Sequence, residues 1–321
     1  MDTIFKSILK NELEAFMEFI KLSVADCRKY RSTLLNLDSF LYAEGLMEKK
    51  IEAWQVKRWL EGSNTHISTK KDKLSHVRRF SVYLSTLGIP SSLPELPRNT
   101  AEFKPYVFSR DEMTQIFETA DDFILTNPNS RIAAEFPILL RILYGCGLRL
   151  GEAEALTWDD IDLSAGVITV KSAKNQKQRI IPISGELARI LKLYSASACF
   201  NARKHGFLFT KNNGERRSKG AYWSIFNRIL NEIGIKNPQN TKCGSRGPCI
   251  HSLRHTFTLH SLLKAESEGR SFMESVPFLS TYLGHEGLRE TDKYLKARHE
   301  LYTESHAAIA DYTRNVFPQE A

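Results

Sequence analysis

Residues 250–260 read I-H-S-L-R-H-T-F-T-L-H, and residues 283–294 read L-G-H-E-G-L-R-E-T-D-K-Y. His251 and His255 are four residues apart with Arg254 between them, so a helix would place all three on roughly one side. The residues that would anchor this helix in a core are Phe257, Leu259, Leu262 and Leu263. We therefore expect a helix that carries the two histidines and the arginine at its head.

A second helix is predicted from about Ser275 to Leu283. Pro277 suits its first turn, and Gly284 suits the left-handed residue that ends it, which leaves His285 just beyond the helix. Tyr294 then lies in a polar, charged segment, where an aromatic residue has little to pack against. Residues 264–272, between the two helices, are expected to form a surface loop.

A related pattern lies upstream, where residues 138–163 read I-L-L-R-I-L-Y-G-C-G-L-R-L-G-E-A-E-A-L-T-W-D-D-I-D-L. An apolar helix meets a break at Gly145 and Gly147, and Arg149 lies in the turn that starts the next helix. Two arginines, two histidines and a tyrosine suit phosphodiester chemistry without a metal. The arginines would grip the non-bridging oxygens in bidentate fashion, and the tyrosine would be the nucleophile.

These segments, in this order and with a basic hairpin between them, resemble the tyrosine recombinases of the phage integrase type. The resemblance covers about residues 107–300. It implies that Tyr294 attacks a DNA phosphate to give a 3′-phosphotyrosine. The residues that would stabilise the charge on the non-bridging oxygens of the pentavalent transition state are Arg149, Arg254, His251 and His285. One difference is the long separation of His251 from His285, whose excess falls in the predicted loop.

The resemblance also assigns supporting roles. Alignment of K-N-Q-K-Q-R-I-I-P-I with the family's hairpin makes Lys174 the catalytic lysine that protonates the leaving oxygen, with Lys171 and Lys177 as rivals and DNA contacts. Glu152 and His255 would support the site, and neither a metal nor another cofactor is implied. A tetramer would join two duplexes through a Holliday junction, with accessory DNA-bending or directionality proteins as further partners.

Two other classes share parts of this pattern. A type IB topoisomerase uses the same residues to relax supercoils, and a degenerate relative would bind DNA without cutting it. The small size and separate helical domain favour a recombinase, and a mere binder has no use for Tyr294. A zinc site at Cys243, Cys249 and His251 is disfavoured because its spacing fits no closed site and a fourth ligand is missing.

Composition agrees with a two-domain protein that is neither disordered nor membrane-embedded. The chain has 321 residues, of which 42% are hydrophobic and 26% charged. The net charge of +8 suits a polyanionic partner and gives modest support for one, because solubility alone could also produce it. Five cysteines at unrelated spacings indicate reduced thiols, and no signal peptide is visible, so we expect a cytoplasmic, nucleoid-associated protein.

The fold class expected is mainly α with a small antiparallel sheet in the larger domain, arranged as a two-domain DNA clamp. Residues 1–88 show helical periodicity throughout and predict a four-helix domain. Residues 89–106 are rich in proline and predict a linker, and residues 107–321 form the catalytic domain. The fourth helix carries a basic run that is either a phosphate-contacting face or a solvated one: Lys70, Lys71, Arg78 and Arg79. An amphipathic C-terminal helix over 298–317 would dock on its own domain or on a neighbour's.

Overall fold

The computed structural model describes residues 4–24, 26–95, 105–127, 130–171, 178–196, 206–211, 213–235 and 247–284. The chain divides into two compact units, Met1–Thr100 and Ala101–Ala321. Their boundary lies inside the range that the sequence assigns to the linker. Across the described residues, every helix falls short of the length and apolar character that a membrane span requires.

Within its described residues, the first unit contains four helices, as predicted. They are α1 (Lys10–Lys21), α2 (Arg28–Ala43), α3 (Ala53–Glu61) and α4 (Ile67–Thr86). Their apolar stripes meet in one core around the buried rings of Phe16 and Phe80, whose centroids are 5.2 Å apart. The Pro-rich segment begins on this unit, because Ser92 donates its N–H to the carbonyl of Ile51 and Arg78 donates to the carbonyl of Pro94.

The described residues of the second unit are mainly helical and form one small sheet. Its helices are α5 (Arg110–Thr126), α6 (Arg131–Cys146), α7 (Leu150–Ala153), α8 (Gly185–Ala196), α9 (Lys219–Glu232), α10 (Ile250–Ser267) and α11 (Phe272–Leu283). The strands β1 (Ile161–Asp162), β2 (Val167–Lys171) and β3 (Gln178–Pro182) pair in that order, and both pairings are antiparallel. The predicted fold class is confirmed. Helix α6 is the centre of this unit's core, and α5, α8 and α10 all pack against it.

Two predicted boundaries near the site were wrong. Helix α10 continues to Ser267, so the first four residues of the expected loop at 264–272 are helical and a short turn around Gly269 remains. Helix α11 starts at Phe272 because Ser271 and Glu274 form a capping box, in which Ser271 donates its N–H to the Glu274 carboxylate at 3.3 Å. Pro277 therefore lies inside the helix rather than in its first turn. The predicted stop at Gly284 is confirmed, with φ of 67° and ψ of 47°.

Candidate active site

The end of α6 forms the floor of the site. Gly147 caps α6 in the left-handed region at φ 61°, which an L-residue adopts only with strain. A Cβ there would also lie 2.4 Å from the ring of Phe257, a residue of α10. Both the positive φ and the nearness of Phe257 therefore require glycine at position 147. The missing side chain lets α10 approach the end of α6.

Arg149 starts the next element, as predicted. It is the N-cap residue of α7, and its N–H donates to the Glu152 carboxylate at 2.9 Å. Its side chain folds onto the same group, with Nη1 3.2 Å from Oε1 of Glu152, and remains 37% exposed. The turn thus fixes the backbone of Arg149 and leaves part of its side chain exposed.

Arg254 is buried in the second turn of α10 and is only 2% exposed. It donates from Nη1 to the carbonyl of Gly147 and from Nη2 to the carbonyl of Leu283, each at 2.8 Å. Those carbonyls end α6 and α11, where the helix dipole is negative and orphan carbonyls need donors. A buried cation is tolerated because two helix ends compensate its charge. Arg254 therefore ties the floor of the site to the helix end that precedes His285.

Glu152 is the carboxylate on which the arginines converge. Arg179 of β3 binds it in bidentate fashion, at 3.1 Å to Oε1 and 2.8 Å to Oε2, and Arg254 Nη1 lies 3.8 Å from Oε2. Burial raises the pKa of the Glu152 carboxyl, but hydrogen bonds from Arg179 and Arg149 and the nearby positive charges outweigh it, so its pKa falls below the ordinary value. Glu152 is ionised at neutral pH and organises three guanidinium groups.

The two histidines lie where the sequence predicted them, at the head of α10. The helix begins at Ile250, with Cys249 as its N-cap. The ring centroids of His251 and His255 are 4.8 Å apart, and the planes meet nearly edge to face at 83°. His251 is exposed, whereas His255 is 8% exposed. His251 is therefore accessible to a ligand, and His255 packs against it from the buried side.

The structure thus brings Arg149, Glu152 and Arg254 together and places His251 and His255 on the helix of Arg254. Lys171 pairs instead with the nearly buried carboxylate of Asp160 at the edge of the sheet. The positions predicted at Lys174, Lys177, His285 and Tyr294 lie outside the described residues. Within the described part of the chain, no cluster of three histidine, cysteine or acidic residues could hold a metal ion.

Arg179 is a site residue that the sequence analysis missed. Its signal is the two-residue period of β3, which places Arg179 on the same face as the buried Ile181. A charged residue on the inward face of a strand predicts a buried partner, and that partner is Glu152. In the sequence, the lysines of the neighbouring basic hairpin are the more evident candidates for phosphate contacts.

Comparison with known proteins decides the family. Residues 107–300 match the Phage integrase family. The chain belongs to the phage integrase family. It is therefore a tyrosine recombinase, an enzyme of site-specific DNA recombination, and neither the topoisomerase nor the non-catalytic alternative is favoured.

Relatives span most of the chain. It is 27% identical over 305 residues to the "Putative integrase/recombinase y4rB" of Sinorhizobium fredii, covering 91% of this chain and 95% of that protein. It is 28% identical over 228 residues to tyrosine recombinase XerD of Listeria innocua, covering 69% of each chain.

Solved structures share the fold. The XerH site-specific recombinase bound to its difH substrate, in a pre-cleavage complex, superposes with a TM-score of 0.64 at 19% identity, over 88% of this chain and 79% of that one. A lambda integrase dimer bound to a COC′ core site gives 0.60 at 17% identity, over 89% and 76%. At these identities the likeness concerns the fold alone.

Proposed function

We propose that this recombinase cleaves and rejoins DNA strands through a 3′-phosphotyrosine formed at Tyr294. The observation that carries the proposal is the convergence of Arg149 and Arg254 on Glu152, beside the helix head that bears His251. Guanidinium groups fixed by a common carboxylate are preorganised to receive a phosphate, which they bind through paired N–H donors. Such preorganised donors stabilise charge that develops only in the transition state.

The steps balance without an external energy source. The Tyr294 hydroxyl attacks phosphorus, the P–O5′ bond breaks, and a 5′-hydroxyl leaves. His251, the exposed histidine, accepts the tyrosine proton, while Lys174 protonates the departing 5′ oxygen. Arg149, Arg254 and His285 bind the non-bridging oxygens of the pentavalent transition state. The phosphotyrosine preserves the bond, so attack by a 5′-hydroxyl rejoins a strand without ATP.

The assembly that we propose is a tetramer on two duplexes, which exchanges strands through a Holliday junction to integrate, excise or resolve a mobile element. The linker at 89–106 would let the two domains close around one duplex as a clamp. The net charge of +8 suits a polyanionic partner, and the lambda integrase structure is that of a dimer on DNA. We place this activity in the cytoplasm, with the nucleoid, where accessory DNA-bending or directionality proteins would act.

The test is covalent trapping on a nicked suicide DNA that carries the recombination site. Wild-type protein should form an adduct that survives denaturation, and Tyr294→Phe should form none while its DNA affinity stays nearly unchanged. Tyr282 is a poor substitute nucleophile, because it is stacked on Phe257 at 5.7 Å and burial raises its pKa. An adduct formed by the Phe variant would contradict the assignment, and rapid relaxation of plasmids that lack the site would favour a topoisomerase.

A further inference from the structure

Arg179 touches two parts of the site and has a chain connection to a third. Its guanidinium binds both oxygens of Glu152, which follows Arg149 in α7. The same group lies against the end of α11, where a Cβ on Gly284 would be 3.2 Å from Nη1 and 3.4 Å from Cζ. Along the chain, Arg179 is the second residue of β3, five residues after Lys174 in the basic hairpin. Within the described residues, Arg179 therefore connects α7, whose N-cap is Arg149, to the end of α11.

The side chain of Arg179 is mostly buried in the site and has little contact with solvent. Only 17% of the Arg179 side chain is exposed, and 13% of that of Glu152. Within the described residues its Nε is buried and has no hydrogen-bond partner, so the fork toward Glu152 dominates its polar contacts. An arginine held this way sets the position of the carboxylate, because the bidentate geometry fixes both oxygens at once.

Charge explains why the site needs this third arginine. Glu152 also contacts Arg149 at 3.2 Å and lies 3.8 Å from Arg254. Without Arg179, one carboxylate would face the two guanidiniums that must serve the phosphate, and it would compete with the phosphate for them. With Arg179 present, three positive charges face one negative charge, which leaves a surplus of two (3 − 1) for a phosphate whose negative charge increases in the transition state.

We infer that Arg179 is a positioning residue for strand cleavage, which acts by holding Glu152 and the end of α11 so that Arg149 and Arg254 face the phosphate. The inference rests on the proposed function, because its effect is measured on the covalent step. Arg179 does not itself touch the DNA in this account. Its loss should slow cleavage of bound DNA and leave the affinity for DNA nearly unchanged.

The test compares Arg179→Met with a matched control. Arg217→Met is suitable because Arg217 is 15% exposed, pairs with the buried Glu135 at 3.3 Å, and lies in the same unit. Three quantities are measured for each protein: the single-turnover rate of adduct formation at saturating DNA, the Kd for DNA, and the thermal midpoint. We expect Arg179→Met to slow adduct formation by about ten- to a hundred-fold. Arg217→Met should lose a comparable amount of thermal stability and cleave within about threefold of the wild-type rate.

A double-mutant cycle with Glu152→Gln separates positioning from general loss of rigidity. If Arg179 acts through Glu152, the double variant should cleave no more slowly than the slower single variant. Arg179→Lys keeps the charge without the fork, so it should fall between wild type and the Met variant, and it replaces that variant if the latter does not fold.

Three results would overturn the inference: cleavage by folded Arg179→Met within threefold of wild type, an equal slowing by Arg217→Met, or rate reductions that multiply in the double variant. A wild-type protein that forms no adduct would overturn the proposed function, and the inference with it. A wild-type adduct with an equally fast Arg179→Met variant would overturn the inference alone.

Discussion

At the scale of single residues, Arg149 and Arg254 share a proposed role but differ in their surroundings. Arg149 is 37% exposed and meets Glu152 at the surface of a turn. Arg254 is 2% exposed and also joins the ends of α6 and α11 through two carbonyls. The same substitution at the two positions should therefore have the same effect on cleavage and different effects on folding.

We predict that Arg149→Lys and Arg254→Lys each slow cleavage by about a hundred- to a thousand-fold, because lysine keeps the charge but loses the fork that binds phosphate. Only Arg254→Lys should also lose stability, by about 1.5–3 kcal/mol for each hydrogen bond to a carbonyl that lysine cannot replace. Single-turnover cleavage and urea denaturation measure the two effects. Arg189→Lys, at a surface pair with Glu186, is the control. If Arg149→Lys or Arg254→Lys cleaves within a few-fold of the wild-type rate, the arginine at that position has a structural role only.

Much of the site could be predicted from residues alone, because its side chains lie at helix ends that the sequence marks. Gly147 and Gly284 mark the ends of α6 and α11, and apolar spacing marks the start of α10. The structure confirms these three boundaries. Arg179 could not be found that way, since its partner lies 27 residues away on another element. The extent of α10 was also missed, because a charged, polar stretch such as A-E-S-E-G-R-S favours a loop until packing of the helix decides otherwise.

At the scale of elements, the junction between α6 and α10 holds the site together. A Cβ on Gly147 would lie 2.4 Å from the ring of Phe257 in α10, and the Gly147 carbonyl is one of the two that fix Arg254. A change that separates these helices should disturb the arginine even though it alters no charged group.

We predict that Gly147→Ala destabilises the protein by more than the roughly 1–2 kcal/mol that a left-handed alanine costs, because the new Cβ also meets the Phe257 ring. Gly214→Ala is the matched control, since Gly214 has φ of 80° in the same unit and nothing within 4 Å of its Cβ position. Urea denaturation gives the loss of unfolding free energy for each variant. The difference between the two losses is the cost of the contact with Phe257. Equal destabilisation would show that the junction tolerates a methyl group.

The basic helix α4 carries five cations, three of which have a hydrogen-bond partner in the first unit. Lys73 donates to the hydroxyl of Ser63. Arg78 donates to the carbonyl of Pro94, and Arg79 donates to the hydroxyls of Tyr30 and Ser23. Within the described part of this unit, the ammonium groups of Lys70 and Lys71 make no hydrogen bond or ion pair. Lys70 and Lys71 are therefore better candidates for binding phosphates than Arg78 and Arg79, whose guanidinium groups already hydrogen-bond within the first unit.

We predict that Lys70→Ala with Lys71→Ala reduces the slope of log K against log salt concentration by about 0.9 for each phosphate that the protein no longer neutralises. Cleavage by enzyme saturated with DNA should change little. Lys10→Ala with Lys57→Ala, two exposed lysines on other helices of the same unit, is the control for net charge. A slope that is unchanged, or that falls equally in the control, would make the lysine pair part of a solvated face.

At the scale of the whole molecule, the C-terminal helix that we propose over 298–317 would link the nucleophile to assembly. It lies outside the described residues. The second unit offers an apolar groove of about 710 Å³ between α10 and α11, lined among others by Phe257, Leu262 and Phe278. Such a groove suits an amphipathic helix, supplied either by the same chain or by a neighbour.

Deleting everything after Lys296 distinguishes the two cases. If the helix docks on a neighbour, the truncated protein should stay folded and bind a single site, but lose cooperative assembly on paired sites. If it docks on its own domain, the thermal midpoint should fall and the exposed apolar face should cause aggregation. Sedimentation on paired sites and thermal unfolding measure these outcomes. A stable truncation that assembles normally would contradict both.

The most direct test of the account is to find which atom of the protein carries the DNA. The covalent adduct is trapped on a nicked suicide substrate, digested with protease and nuclease, and the modified peptide is located by mass spectrometry. We predict a nucleotide on Tyr294, linked through a 3′-phosphate. In the undigested adduct, a label at the 5′ end of the cleaved strand should therefore stay with the protein. A nucleotide on Tyr282, Tyr302 or any other residue, or a linkage through a 5′-phosphate, would contradict it.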